Sequence, residues 1–480
     1  MIDAKKIVKM VQAEAATLQI HKKTIDIYEN NLLDYVLKSL ANQLSPKSYA
    51  MAIHRLVPIN IFPRVVDKIS NIYQQGVIRD IKDGDDSDEA TLSWLVGTMR
   101  INDTMHNGNT LFNACKSTLL HPYVDKKTAL PALRVIQNDR FIVLSEDPIN
   151  PMRPTTVILL AGKRGDLDIY WVYTDTDFAV VLSDGTIDRA EMARLENPEG
   201  INPIGRLPFV YVNSSALRLC PYPDIDAIRM TEVIPVMLTD LNLAAMFQSF
   251  SILYGIDLSI EDMTYAPGAF WFLKSDSTGS ELGKETKPEI GTLKPEVDFQ
   301  EVLNLIQSQL SMWLGTKGIR ANGVGELTQQ NFASGISKII DEMDTLDIRQ
   351  SQCATFSDAE SELWDLILKD MLPYWISTQQ IDFRGSFTPT ASVITSFKLD
   401  IPGSTRAALI DEQIKEVNAK FTTRKRAIQS LNPVMTSEEV DDLMHEIDEE
   451  SQPMVSADPT NVNEVNSDGS QTAKNQDRYI

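Results

Sequence analysis

Cysteine, histidine and basic charge are all scarce in this chain of 480 residues, and each shortage removes a class of function. The three cysteines, Cys115, Cys220 and Cys353, stand far apart and form no CxxC pair. A disulfide framework is therefore not expected, and a reducing compartment is. The five histidines, His21, His54, His106, His121 and His445, contain no HExxH and no pair at ligand spacing, so neither zinc nor any other metal is expected. No GxSxG and no GxxxxGK[ST] occurs. AGKRG at 161–165 has the glycines and lysine of a phosphate loop, but it lies between predicted strands instead of ahead of a helix. Asp224 and Asp226, in PYPDID, have the spacing to take a cation, and a polar turn accounts for them as well. With no motif that carries a mechanism, no catalytic residue is named, no cofactor is expected, and the chain reads as a non-enzyme. Apolar runs such as PTTVILL fall far short of the roughly 20 residues that span a bilayer. The opening MIDAKKIVKMVQAEAATLQI is amphipathic without a secretion block, which predicts synthesis in the cytoplasm and no membrane partner.

What is abundant is acid. Lys and Arg number 45 against 67 Asp and Glu, a formal charge of -22. Phosphate contact uses Lys and Arg, so the chain is no obvious nucleic-acid binder. Its acidity suits either plain solubility or a surface past which DNA slides without adhering. Apolar residues make up 43%. That share, with this length, predicts two or three domains around at least one buried core.

Periodicity divides the chain. Residues 1–79 read mainly as helix: Leu33, Val36, Leu37, Leu40 and Ala41 recur at helical spacing, as do Ile69, Ile72 and Tyr73, with Pro58 and Pro63 between them. Residues 80–90 read as a solvated acidic turn, and 91–120 as another helix. From 132 the period shortens to two. Leu133 to Ile136, Phe141 to Leu144, Thr156 to Leu160, Leu167 to Thr174 and Phe178 to Leu182 are short strands, the last three forming an antiparallel meander, and Pro208 to Val212 adds a strand. Residues 232–254 return to helix. A strand-and-turn insertion follows around Ala269–Leu273. Asp298 then caps a second helix, with Glu301 completing a capping box. Phe299, Val302, Leu303, Ile306, Leu310 and Trp313 line one face of it. Four glycines within Gly315–Gly325 rule out a regular element there. A long, kinked helix is predicted from about Phe332 to Asp370, a strand within 387–400, and a helix over 405–430 ended by Pro433. A last helix, MTSEEVDDLMHEIDEE, carries eight acidic and no basic residues. Residues 451–480 have the composition of disorder.

The order of pieces over 230–450 resembles the portal proteins of tailed bacteriophages, the head-to-tail connectors, and in particular the family typified by the portal of a Bacillus siphophage. The signs are Leu241-Asn242 and Tyr254-Gly255 before an insertion, a second helix, a glycine-rich loop and the step Asn331-Phe332-Ala333-Ser334-Gly335 before a long helix. Leu431-Asn432-Pro433, Thr436-Ser437-Glu438-Glu439 and Glu449-Glu450 follow in the same order. Tyr73 and Gly76, closing a helix at 62–79, fit the same pattern.

The resemblance implies an α+β fold, mainly α, assembled as a ring of twelve copies. It assigns 1–231 to a wing of helices and β meander, 232–255 and 298–315 to stem helices, 256–297 to a clip and 316–331 to a tunnel loop. It assigns 332–402 to a long wing helix and strand, 403–450 to a short crown and 451–480 to a disordered tail. Leu241, Met246, Phe250, Phe299, Ile306 and Leu310 would build the stem. Lys317, Gly318, Arg320, Asn322 and Gly323 would line the channel for double-stranded DNA. The implied partners are further copies of the chain, the terminase large subunit, head-completion or adaptor proteins, scaffold and the major capsid protein. The implied place is the capsid portal vertex of the virion, after assembly in the host cytoplasm. Two other readings stand beside this one: a different oligomeric virion connector or scaffold-binding protein without a DNA channel, and a nucleotide-dependent enzyme built on the 132–182 sheet.

Overall fold

The computed structural model describes residues 2–74, 76–249, 252–256, 270–273, 289–293, 298–319, 335–383, 385, 387–397, 403–431 and 437–450. They form a mixed helix and strand protein, about 54% helical, in two units, Met1–Ser404 and Thr405–Ile480.

The first unit opens with helices α1 (Ala4–Tyr28), α2 (Leu32–Gln43), α3 (Pro46–Ile53) and α4 (Phe62–Ile69). Asp3 caps α1 by accepting from the backbone N–H groups of Lys5 and Lys6. The buried stripe of α2 is Leu32, Val36 and Leu40, spaced by four; Leu33 is 42% exposed and Ala41 is exposed. The helix predicted to run to residue 79 stops at Ile69. Val77–Lys82 is instead strand β1, because Val-Ile-Arg-Asp-Ile-Lys alternates at period two and finds an antiparallel partner in β12 (Ser392–Phe397). Tyr73, just before β1, lies buried, edge-on to Phe356 and Phe397.

The acidic stretch 80–90 is solvated as expected, every residue from 82 to 90 but Asp88 being exposed, but most of it is the end of β1 and the start of a helix. Asp85 caps α5 (Asp86–Met99) in a reciprocal capping box with Asp88. Asp88 is buried, accepting from the N–H groups of Asp85 and of Thr388, three hundred residues away. Burial pushes its carboxyl up, but the backbone donors outweigh that and hold it below the usual carboxylate value. Arg100, in the left-handed region, separates α5 from α6 (Ile101–Cys115). The helix predicted over 91–120 is thus two helices, and its end is strand β2 (Ser117–Asp125).

The β region follows the sequence expectation closely. Strand β2 lies between β3 (Leu130–Ile136) and β8 (Val210–Asn213), both antiparallel to it. Strands β4 (Phe141–Leu144), β5 (Thr156–Arg164), β6 (Leu167–Thr174) and β7 (Phe178–Leu182) form a separate sequential antiparallel sheet. AGKRG is its β5–β6 hairpin. Arg164 reaches Asp188 and, at 2.6 Å, Glu191, at the start of the short helix α7 (Arg189–Arg194).

Helix α10 (Gly335–Asp365) widens into a π turn over Leu366–Met371 and continues as α11 (Leu372–Ser377). The single long helix expected is interrupted by this π turn, followed at once by Pro373, which has no N–H to give to the preceding turn. Phe356, Leu363 and Trp364 of this helix fill the largest core together with Leu95, Met105 and Phe397. Glu360, fully buried on the same helix, takes a forked ion pair from Arg79 of β1 at 2.6 and 2.8 Å. It also accepts from Trp364 Nε1 at 3.2 Å and Thr395 Oγ1 at 3.0 Å.

In the second unit the helix predicted over 405–430 is split into α12 (Gly403–Asn418) and α13 (Arg424–Leu431). The break holds Lys420 in the left-handed region and leaves Phe421 86% exposed. Acidic α14 (Ser437–Glu450) buries Val440 and pairs Asp441 with Lys425 at 2.7 Å. Residues 451–480 lie outside the described residues.

Candidate functional site

Helix α8 (Ile225–Ser249) begins seven residues before the predicted start. The signal is Asp224, whose side chain accepts from Ala227 N at 3.1 Å and whose carbonyl accepts from Ile228 N. Pro235 inside the helix frees one carbonyl, yet the helix continues, with the buried hydroxyls of Thr231 and Thr239 donating to the carbonyls of Ala227 and Pro235. The helix ends at Ser249, so Tyr254 and Gly255 belong not to it but to strand β9 (Ile252–Ile256). With β10 (Phe270–Leu273), parallel, and β11 (Glu289–Leu293), antiparallel, β9 makes a three-stranded sheet with itself at the centre.

Helix α9 (Phe299–Thr316) follows. Asp298 caps it as expected, accepting from Gln300 N at 2.9 Å and Glu301 N at 3.2 Å, but among the described residues the return bond to the Glu301 side chain that would complete a capping box is not made. Its end is a built stop. Gly318, at φ 63°, donates to Gly315 O, and Ile319 N donates to Leu314 O while the Ile319 side chain is buried. This pair of bonds around a left-handed glycine is the Schellman arrangement, which satisfies the last carbonyls of a helix. Lys317 and Gly318 therefore close the helix and do not belong to a loop.

The Lys317 ammonium is bound to the Asp224 carboxylate, and both side chains are mostly buried. This contact joins the residue that closes α9 to the residue that precedes α8, so the two helices form an antiparallel hairpin. Its base is the ion pair and its connecting end carries the β9–β11 sheet. At 1.5 Å per residue the helices are about 37 and 27 Å long. Lys116, which ends α6 in the left-handed region, feels both charges: burial lowers its pKa, Asp224 raises it and Lys317 lowers it. Burial also works against ionising Asp224, but Lys317, the Ala227 N–H and Lys116 bring its carboxyl below the ordinary value. The cation that Asp224 was expected to be able to take is thus a lysine of its own chain. Asp226 is exposed in the first turn of α8.

The base of the hairpin is set in a helical core. Ala227, Ile228 and Ile234 of α8 and Trp313 and Leu314 of α9 join Ile27, Leu32, Val36 and Phe62. Lys23 of α1 reaches Glu232 of α8 at 2.6 Å.

Among the predicted stem residues, Met246 and Ile306 are buried, and Leu241, Phe299 and Leu310 are half-buried. Phe250 lies outside the described residues, as do Arg320, Asn322 and Gly323. The predicted apolar face of α9 divides: Ile306 and Trp313 turn inward, while Leu303 is 41% exposed. Off that face, Leu305 and Met312 are 51% and 72% exposed, a pair seven residues apart that periodicity did not select because it marks only the inward stripe. Glu301 is the single charged residue of α9. Among the described residues no group of three or more His, Cys, Asp or Glu is placed to hold a metal ion, and no helix is long and apolar enough to cross a membrane.

No family model and no curated protein matches this chain. Solved structures do resemble it, at a distance. A chain from the neck of an empty GTA particle, computed with C6 symmetry, has a TM-score of 0.41 and 11% identity over 78% of this chain and 90% of that one. A chain from the virion of a native gene transfer agent particle has 0.40 and 10% over 80% and 92%. One from the neck of a native GTA particle, computed with C12 symmetry, has 0.35 and 12% over 78% and 89%. Likeness at this level leaves the function to be argued from the chain's own residues.

Lys317→Ala is expected to lower the unfolding free energy by about 1.5–3 kcal/mol, the worth of a hydrogen bond to a charged group. Urea denaturation measures it. An unchanged midpoint would mean that the ammonium is solvated and that the base of the hairpin does not depend on it.

Proposed function

We propose that the chain is one subunit of a homo-oligomeric ring of twelve at the portal vertex of a virion, through which double-stranded DNA passes during packaging and ejection. The observation that carries this reading is the antiparallel hairpin of α8 and α9, with a small sheet at one end and a glycine-rich segment at the other. That is the element order that resembles the tailed-phage portals, with its boundaries moved to 225–249 and 299–316.

Electrostatics adds support. Copies that each carry -22 repel one another. Contact is least opposed where local charge is low, and the outer side of α9 offers Leu305 and Met312 beside Gln, Asn and Ser. A closed ring also needs two different faces per subunit. In this reading the 256–297 segment is the clip, which docks the terminase large subunit and later head-completion or adaptor proteins. The 403–450 segment is the crown, and scaffold and major capsid protein contact the outside during assembly in the host cytoplasm. ATP hydrolysis belongs to the terminase, and this chain breaks no bond. Lys317 is occupied by Asp224, so Arg320, with Asn322 and Gly323 in the tunnel loop, is the residue assigned to DNA. An acidic lumen with few cations favours sliding over adhesion.

Electron microscopy of the purified full-length chain, with particle mass from light scattering, tests the proposal. The expected result is an annulus with an opening wide enough for duplex DNA. A compact monomer would overturn it. A closed oligomer without an opening would replace it with a virion connector that has no DNA channel.

A further inference from the structure

The helices of the second unit carry opposite charge. From Lys415 to Arg426, through the end of α12 and the start of α13, five residues are basic and one, Glu416, is acidic. Helix α14 has eight acidic residues and no basic one. In a chain of -22 the first of these is an island of positive charge. The two halves attract, since within one copy Lys425 meets Asp441 at 2.7 Å. Lys415, Lys420 and Arg426 of the same basic run are exposed.

The basic run also holds apolar surface that is turned outward. Ile410, Ile414 and Phe421 are 37%, 51% and 86% exposed and recur at spacings of four and seven, along one side of α12 and past its end. The position of Phe421 is built. Lys420, in the left-handed region, donates to Val417 O, and Phe421 N donates to Glu416 O. This is the Schellman arrangement that also ends α9, and the residue after such an end usually packs back on its helix. Ile319, at the same position after α9, is buried; Phe421 is not. An aromatic ring held in water among lysines fits a partner that is both apolar and acidic. Helix α14 has that chemistry, with Val440, Leu443, Met444 and Ile447 among its acids. The α14 of the same copy packs against α13 and buries Val440, and it leaves Phe421 in water.

We infer that the α12–α13 face of one copy, centred on Ile414 and Phe421, docks on the acidic α14 of a neighbouring copy, with Lys415, Lys420 and Arg426 facing its carboxylates. Each copy has one face of each kind, so the contact runs head to tail and repeats around a closed ring. The inference rests on the homo-oligomer proposed above and not on its channel. Opposite local charge at this contact offsets the repulsion between copies of -22.

Carbodiimide crosslinking of the full-length chain tests this. Unlabelled and heavy-nitrogen-labelled chains are mixed before assembly and treated with the reagent, which joins an amine to a carboxylate in contact with it. Mass spectrometry reads the linked peptides. The Lys425–Asp441 link carries one label only, because it lies within a copy. Links from Lys415 or Lys420 to α14 are expected with mixed labels. If those links carry one label only, are absent, or run only to carboxylates outside α14, the inference falls, while an annulus in electron microscopy still upholds the ring. A wild-type monomer overturns both. Mixed-label links in a particle without an opening support this contact and remove the channel. In Phe421→Asp the mixed-label links are expected to disappear and the Lys425–Asp441 link to remain. Mixed-label links at the wild-type level, or loss of both kinds, overturn the placement of Phe421 between copies.

Discussion

Replacing Glu360 by alanine is expected to destabilise the first unit by about 3–5 kcal/mol, the range for removing one partner of a buried ion pair. Arg79 has a side-chain exposure of 5% and Glu360 of 0%, so solvent does not screen the pair. Once the carboxylate is gone, the guanidinium keeps only Asn102 Oδ1 among the described residues, at 2.8 Å. Trp364 Nε1 and Thr395 Oγ1 lose their acceptor as well. The loss falls where β1, β12 and α10 meet, so it loosens a sheet whose strands are three hundred residues apart in sequence. A domain is stable by about 5–15 kcal/mol in all, so this one change takes a large share. Much of the effect is the orphaned charge and not the worth of the pair. The double variant Arg79→Met, Glu360→Met is therefore expected to be closer to wild type than Glu360→Ala. Urea denaturation followed by circular dichroism measures both. A loss below about 1 kcal/mol for Glu360→Ala would show that water reaches Arg79 and that the pair behaves as a surface one.

The ion pair also shows why part of this fold is legible in the sequence and part is not. The β4–β7 meander is legible because everything that makes it is local: strands of alternating residues, tight turns, and neighbours in sequence that are neighbours in the sheet. Asp298 is legible for the same reason, since a cap and its N–H groups lie within three residues. What periodicity misses has a distant partner. Val77–Lys82 reads as the end of a helix and the start of an acidic turn until Ser392–Phe397 is brought alongside. Asp88 reads as a solvated acid until the Thr388 N–H covers it. Lys317 reads as a loop cation until Asp224, ninety-three residues earlier, takes its charge. Of the site residues, those on the inward stripes of α8 and α9 follow from spacing. The outward pair Leu305 and Met312 does not, because an apolar residue on the solvent side of a helix carries no periodic signal.

That outward pair sets the second large effect. Leu305→Asp with Met312→Asp is expected to leave the subunit folded and to abolish its assembly. The side chains are 51% and 72% exposed within one copy, so exchanging them breaks little internal packing. Surface changes of this kind usually move stability by no more than about 0.5 kcal/mol. At a contact between copies the same change is severe. Two carboxylates would be taken from water without partners, on surfaces that already repel through -22 per copy. A ring repeats the fault at every subunit boundary, so no closed arrangement escapes it. Glu301, the only charge on α9, is itself acidic and cannot compensate. Met312→Leu, which keeps the apolar surface, is expected to assemble as wild type. Light scattering coupled to size exclusion measures the mass, and circular dichroism the fold. If the double aspartate variant assembles like wild type, the outward face of α9 is not where copies meet. If it unfolds, the face is covered within the subunit. Only a folded, dissociated chain puts the contact between copies on this face, because only such a contact makes these two positions matter to mass and not to fold.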